Sequence, residues 1–229
     1  MITVVFVHGF TDTAALWNDV CARLGVPARA VNLRHVDAEP RRGAILEGYR
    51  DQVPADIDGP VVVVGHSMGS QIAELVAAAR PNVIGLVLLA PIPLAGYPLT
   101  AEQAADFDRI ARDRDEAGVV AGRKALLVND SEPVVRALVR ATLATPPETA
   151  VQELEARTTG HPLGDIKSTV DVPVLVVGSD DGFSSVDAVA PRFADVSTAH
   201  VTGAGHWPHV EQPAAVAEIL TDYLERLGK

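Results

Sequence analysis

The sequence predicts an α/β fold built on a mostly parallel sheet of about six strands. Short apolar runs rich in valine alternate with segments of helical periodicity, a pattern typical of parallel sheets. Residues 61–64 are four consecutive valines, which suits a strand buried on both faces. The predicted strands are residues 2–7, 28–32, 61–65, 83–89, 173–178 and 196–201.

Composition and charge limit the classes of partner. The chain has 229 residues and is 48% hydrophobic, enough to bury a substantial core. Its net charge of −11 disfavours contact with nucleic acid phosphates and anionic membrane surfaces. A single cysteine, Cys21, forms no internal disulfide, and we expect it to be buried on the first helix. Without a leader-like start or a long apolar run, we expect a cytoplasmic protein with neither nucleic acid nor membrane as partner.

The strand at 61–65 runs directly into the pattern Gly-x-Ser-x-Gly, with Ser67 at its centre. A helical segment follows without a break, and this context predicts a nucleophile elbow. Gly65 and Gly69 leave the space that such a sharp turn needs, because they lack a β-carbon. Ser67 would then project into a cleft at a helix N-terminus. The alternative is that Ser67 is an ordinary helix N-cap.

The first strand ends in a loop that begins with His8 and Gly9. An acyl-transfer site needs two backbone N–H groups aimed at the oxyanion of the transition state. The elbow supplies one from the residue after the serine, Met68, and Phe10 is the natural second donor. The side chain of His8 is expected to pack or to bond locally rather than to react.

A pair of carboxylates follows the strand at 173–178. Asp180 and Asp181 stand just beyond its terminal glycine, where a carboxylate can orient an imidazole. Paired aspartates in loops also serve as turn formers or helix caps. After the preceding strand, residues 90–93 contain no acid.

A glycine-rich turn at 203–205 carries His206 and lies before a final amphipathic helix that Pro213 opens. His206 can act as the general base for Ser67. His206 and His209 have a spacing seen in metal sites, but no further ligands complete a tetrahedral set. The turn also lacks the third glycine of a dinucleotide fingerprint, so neither a metal nor a cofactor is predicted. His209 is expected to bond locally near the start of the final helix.

With these motifs in this order, the chain resembles the α/β-hydrolase family over nearly its whole length. In related sequences the acid usually stands three residues after the strand-ending glycine, so the resemblance implies Asp181 rather than Asp180. It also implies the roles of Ser67 as nucleophile and His206 as base. Many members begin with two additional strands before the first loop. Because this chain starts directly with that strand, we expect a minimal six-stranded core.

Residues 97–166 show no strand signal, and the resemblance implies that they form a helical cap inserted into a core of residues 1–96 and 167–229. Capping boxes at 100–103 and 145–148, and Ser131 before Pro133, predict three helix starts. Apolar cap positions are expected to line the substrate cavity, and arginines in the cap are expected to be solvated rather than to receive a substrate carboxylate. The apolar positions are Phe107, Ile110, Val134, Val135, Leu138 and Val139, and the arginines are Arg112, Arg114 and Arg123.

The resemblance implies a serine hydrolase, in particular a carboxylesterase, with a small hydrophobic substrate that contains a carbonyl group. Ser67, His206 and Asp181 would form an acyl-enzyme intermediate, and the N–H groups of Phe10 and Met68 would stabilise the oxyanion. The alternative is a cofactor-free oxygenase or lyase, including chemistry of the C–C bond hydrolase type, that uses the His–Asp pair as a base. A ligand-binding protein ranks last, because every triad position holds a competent residue.

Overall fold

The structure is a computed structural model that describes residues 1–183 and 185–228. It contains the predicted six-stranded parallel sheet, in the order β2-β1-β3-β4-β5-β6. Each predicted strand is present, with its ends shifted by no more than one residue. The strands are β1 Thr3–Val7, β2 Ala28–Val31, β3 Val61–His66, β4 Val83–Leu89, β5 Val174–Ser179 and β6 Val196–Val201.

Helices connect the strands and cover both faces of the sheet. None of the described helices is long and apolar enough to cross a membrane. The α-helices are α1 Asn18–Cys21, α2 Ala44–Gln52, α3 Met68–Ala79, α4 Ala101–Asp108, α5 Glu116–Lys124, α6 Glu132–Ala144, α7 Pro147–Thr159, α8 Val186–Val189, α9 Pro208–Glu211 and α10 Pro213–Leu227. Shorter segments are the 3-10 turns Ala14–Trp17, Pro162–Asp165 and Ala190–Arg192 and the π-helical turn Arg109–Asp113.

The sheet separates two hydrophobic layers, because successive strand side chains point to opposite faces. Val63 of β3 packs in one layer with Ile72 of α3. Val62 and Val64 pack in the other layer with Leu220 of α10. All three valines are completely buried, as expected for a central strand covered on both faces. Because this core holds β3 in place, it also fixes the position at which β3 ends and the turn into α3 begins.

Helices α4 to α7 lie between β4 and β5, and two of their predicted starts are confirmed. Thr100 caps α4 in a reciprocal capping box with Gln103, and Ser131 directly precedes α6. The capping box predicted at 145–148 is wrong. Thr145 ends α6, and its hydroxyl donates to the carbonyl of Ala141, while α7 begins at Pro147 without a side-chain cap. The fixed φ of proline suits a helix start, and its missing N–H leaves one fewer donor without a partner there.

The apolar face of α6 packs internally, contrary to the expectation that it lines the substrate cavity. Val134 and Leu138 contact the cluster that contains Trp207, and Val135 and Val139 pack on Val119 of α5. Phe107 and Ile110, on α4 and the π-helical turn, do line the cavity described below. Cys21 lies on α1 as expected but is only half-buried.

Candidate functional site

The turn between β3 and α3 holds Ser67 in a strained backbone conformation. Its φ of 51° and ψ of −118° are rare for a residue with a side chain. A β-carbon on Gly65 would lie 2.2 Å from the carbonyl oxygen of Gly69, and one on Gly69 would lie 2.3 Å from that of Val7. The turn is further held by Ser70, whose hydroxyl donates to the carbonyl of Ser67 at 2.5 Å. This packing fixes the position of the Ser67 hydroxyl.

Ser67, His206 and Asp181 lie in a hydrogen-bonded chain. Nε2 of His206 is 3.1 Å from Oγ of Ser67, and Nδ1 of His206 is 2.5 Å from Oδ2 of Asp181. These distances fit a tautomer in which Nδ1 donates to the carboxylate and Nε2 accepts from the serine hydroxyl. The three side chains come from the segments after β3, β5 and β6.

The imidazole of His206 is almost completely buried. Burial lowers the pKa of His206 below its ordinary value, and the hydrogen bond to Asp181 acts in the opposite direction. The neutral form of the ring therefore predominates at neutral pH. A neutral imidazole beside a serine hydroxyl is able to accept a proton.

Asp180 points to a different partner. Its carboxylate is 2.7 Å from Nε2 of His200 and accepts the backbone N–H of Gly203 at 2.6 Å, in an exposed position. The hydrogen bond from His200 lowers the pKa of Asp180. The structure thus brings Asp181, and not Asp180, to His206.

Met68 directly follows Ser67 in the elbow, and Phe10 lines the same cavity as Ser67. Met68 is the first residue of α3, so its N–H has no partner within the helix. Neither amide donates a hydrogen bond to another residue in the described part of the chain. Two uncommitted N–H groups beside a serine are what an oxyanion site requires.

Two further histidines, His8 and His209, are buried side chains. His8 bonds locally as predicted: its Nδ1 is 2.8 Å from the carbonyl of Gly9, and its Nε2 accepts the N–H of Leu33. The local hydrogen bond predicted for His209 is wrong. Its ring is fully buried and stacks on Trp17 with centroids 4.1 Å apart, and neither ring nitrogen has a partner among the described residues. Burial holds the pKa of His209 well below its ordinary value.

Sequence reasoning missed Asp12, a buried carboxylate that joins the β1 loop to the histidine loop. Asp12 accepts from the indole N–H of Trp207 at 3.1 Å and lies 3.3 Å from Nδ1 of His66. Nε2 of His66 in turn lies 2.7 Å from the carbonyl of His206. Burial acts to raise the pKa of Asp12, but the His66 imidazole and the Arg123 charge outweigh it and hold the pKa below its ordinary range.

Arg123 and Glu153 hold the segment that carries the Phe10 amide. Arg123 was expected to be solvated, but it is 4% exposed and donates to the carbonyl and hydroxyl of Thr11, the latter at 2.6 Å. Glu153 of α7 accepts the N–H of Thr11 at 2.7 Å. Helices from the inserted segment therefore fix the backbone next to the candidate oxyanion donor. Arg112, by contrast, is exposed and pairs with Asp108.

Ser67 and His206 open onto a narrow cavity of about 30 Å³, the space of about one water molecule. A second cavity of about 330 Å³ lies next to it. Phe107, Ile110 and Phe183 contribute to the walls of both cavities. These shared side chains separate the space beside Ser67 from the larger cavity. Arg157, another residue that sequence reasoning missed, also lines the narrow cavity.

The sheet is parallel, and a strained serine at a strand-to-helix turn contacts a histidine that in turn contacts an aspartate. This combination defines a protein of the α/β-hydrolase class. The comparison with known sequences agrees, because a model of the alpha/beta hydrolase family matches residues 4–219. The chain belongs to the alpha/beta hydrolase family.

Relatives with named activities include two proteins from Mycobacterium tuberculosis. Esterase Rv0045c is 26% identical over 97% of this chain and 82% of its own length. Lipase LipV is 36% identical over 95 residues, a match that covers 38% of this chain and only 36% of LipV. Among solved structures, a thermophilic esterase from Thermogutta terrifontis superposes with a TM-score of 0.79 at 21% identity, over 100% of this chain and 91% of the esterase. The two mycobacterial relatives support a hydrolase, and the solved structure supports the fold.

Proposed function

We propose that the protein is a serine esterase that cleaves carboxylic esters through an acyl-enzyme intermediate. The observation that carries the proposal is the contact of 3.1 Å between Oγ of Ser67 and Nε2 of His206, at a serine whose backbone is strained into the elbow conformation. The names of two relatives, an esterase and a lipase, favour an ester as the substrate.

In the acylation step, His206 takes the proton of the Ser67 hydroxyl as Oγ attacks the ester carbonyl carbon. Asp181 holds the imidazole in the required tautomer and stabilises its charged form. The carbonyl oxygen becomes an oxyanion, which accepts hydrogen bonds from the amides of Phe10 and Met68. In comparable sites one such donor contributes about 3 kcal/mol to transition-state stabilisation.

Collapse of the tetrahedral intermediate breaks the bond to the alcohol, which receives its proton from Nε2 of His206. In the deacylation step, water gives a proton to the same nitrogen and attacks the acyl carbon. The second tetrahedral intermediate uses the same two amides. Collapse of this intermediate releases the carboxylic acid, and His206 returns the proton to Ser67.

The test is the hydrolysis of short aryl esters by the wild type and by Ser67→Ala. The variant should lose activity by about 10⁴-fold or more, because the nucleophile is absent. Ser197→Ala, a matched change at an exposed position of β6, should behave as the wild type. If Ser67→Ala retains more than about a tenth of the activity, the serine is no nucleophile, and chemistry driven by the His206 base alone becomes the better explanation.

A further inference from the structure

Arg157 of α7 is a buried cation without a carboxylate partner in the described part of the chain. Its side chain is 1% exposed and lines the same cavity as Ser67 and His206. Neither Nε nor Nη1 donates a hydrogen bond to any described residue. A buried, unpaired charge is costly to a fold and needs a reason for its presence.

Four aromatic rings surround the guanidinium. Its Cζ lies 4.3 Å from the ring centroid of Phe107 and 5.3 Å from that of Phe183, with Tyr97 and Phe10 slightly farther away at 5.8 and 5.9 Å. The rings stabilise the positive charge through their π faces. They are poor hydrogen-bond acceptors, so the N–H groups of Arg157 keep their capacity to bind an anion.

Arg123 provides the contrast within the same cavity. It is also buried, but it lies 3.5 Å from the carboxylate of Asp12 and donates to the hydroxyls of Thr11 and Thr142. Its charge and donors are thus used within the protein. Burial lowers the pKa of Arg157 to about 10, which leaves its side chain positively charged at neutral pH. Arg157 is therefore a cation in the cavity that no carboxylate of the described residues neutralises.

We propose that Arg157 binds a carboxylate carried by the substrate, so that the preferred substrates are esters with a second, ionised carboxyl group. The proposal rests on the esterase function proposed above and refines the expected small hydrophobic substrate to an anionic one. A guanidinium binds a carboxylate through two parallel N–H···O bonds, which gives both strength and orientation.

The position of Phe183 relates the two ends of such a substrate. Its ring centroid is 5.3 Å from Cζ of Arg157 and 5.0 Å from the imidazole centroid of His206. The two distances place Cζ of Arg157 within about 10 Å of the His206 imidazole, which contacts Ser67. A short aliphatic chain spans that separation against the apolar walls formed by Phe107 and Ile110. The other substituent of the ester would extend into the larger cavity.

The experiment compares kcat/KM for p-nitrophenyl hemiesters of succinate, glutarate and adipate with kcat/KM for neutral p-nitrophenyl esters of the same chain length. The wild type should prefer the anionic ester by about tenfold or more at one of these lengths. Arg157→Met should lower the ratio of anionic to neutral activity by about 30-fold or more, because a buried partner of the carboxylate is lost. Arg112→Met, at an exposed arginine outside the cavity, is the matched control and should leave the ratio unchanged.

A second set of esters carries the carboxylate on the alcohol portion instead. The set in which the preference for the anionic ester depends on Arg157 shows whether the acyl or the alcohol portion of the substrate carries the carboxylate. A competition assay does not rely on a folded variant: free glutarate or adipate should inhibit wild-type hydrolysis of a neutral ester more strongly than the uncharged diamides of the same acids. The proposal is wrong if Arg157→Met keeps the wild-type ratio in both sets, or if neither set is preferred and the diacids inhibit no better than the diamides. Failure of the esterase function is distinct, because the wild type would then hydrolyse no ester of any charge.

Discussion

Ser67 combines a strained backbone with a fixed set of neighbours. Its positive φ is held by close contacts around Gly65 and Gly69 and by the hydrogen bond from Ser70. Strain of this kind costs on the order of 1–3 kcal/mol and persists only where the surrounding structure enforces it. The benefit is positional: the hydroxyl stays within reach of His206 without any rearrangement of the backbone.

Asp181 and Asp180 offer a matched pair of substitutions. Asp181→Asn should lower kcat/KM for a neutral aryl ester by about 10³- to 10⁴-fold, because an amide cannot hold the imidazole in the working tautomer or stabilise its charge. Asp180→Asn should change kcat/KM by less than about threefold, because it affects an exposed contact with His200. Steady-state kinetics of both variants decide the matter. Similar losses in the two variants would contradict the role given to Asp181.

The site residues that belong to sequence motifs could be predicted from sequence, whereas the buried charged residues around them could not. Ser67 and His206 stand in recognisable turns after strands. Glu153 and Arg157 stand four residues apart on one helix, a spacing that usually indicates a solvated ion pair. Here both are buried, and they make no ion pair with each other within the described residues. The packing of α7 against the core decides this, and a single sequence does not encode that packing in a readable pattern.

At the scale of elements, α5 and α7 hold the loop after β1. Arg123 of α5 donates to the carbonyl of Thr11, and Glu153 of α7 accepts the N–H of the same residue. Thr11 has a positive φ of 50°, and these two contacts support that conformation. These contacts fix the backbone next to the amide of Phe10, the proposed oxyanion donor. We infer that the inserted segment contributes to the oxyanion site as well as to the cavity walls.

Glu153 makes this arrangement sensitive to pH. Burial raises its pKa to about 8, from an ordinary value near 4.5. Because the folded-state pKa is raised, its contribution to stability is complete below about pH 4.5 and is lost as the pH rises toward 8. Glu153→Gln keeps an oxygen acceptor for Thr11 but does not titrate. The free energy of unfolding of the variant minus that of the wild type should therefore rise with pH across this window, by up to about 1.4 kcal/mol per pH unit.

Urea denaturation of the wild type and Glu153→Gln at several pH values measures this difference. Glu155→Gln, an equivalent change at an exposed position of the same helix, separates the effect of burial from the loss of one negative charge. Wild-type and Glu153→Gln stabilities that run parallel from pH 4.5 to 8 would contradict the raised pKa.

Strands could be predicted more closely than helix contacts. A run such as residues 61–64 predicts its own burial because valines on both faces of a strand require cover on both sides. The apolar stripe of α6 was also recognised, but its partner was not: Leu138 packs in the cluster of Trp207 rather than on the cavity. A stripe indicates that a helix face is buried without indicating which surface covers it. Thr145 shows the same limitation. The sequence places it near a helix end without indicating which helix it bonds to, and its hydroxyl donates back into α6.

At the scale of the whole molecule, the parallel sheet explains why distant segments meet. The segments after β1, β3, β5 and β6 all leave from the carboxyl edge of the sheet and carry Phe10, Ser67, Asp181 and His206 in turn. Ligand sites of open parallel sheets form at this edge. Strand prediction alone therefore places the four segments on one side of the molecule, although the size of the cavity depends on side chains of the inserted helices.

The most direct measurement is the intact mass of the protein after treatment with a fluorophosphonate, followed by peptide mapping. These reagents form a covalent adduct with a serine that a neighbouring base activates. The wild type and Ser197→Ala should each gain one adduct, mapped to the peptide that contains Ser67, and folded Ser67→Ala should gain none. A folded wild type that stays unmodified, or a Ser67→Ala variant modified to the same extent, would contradict the assignment of Ser67 as the activated nucleophile.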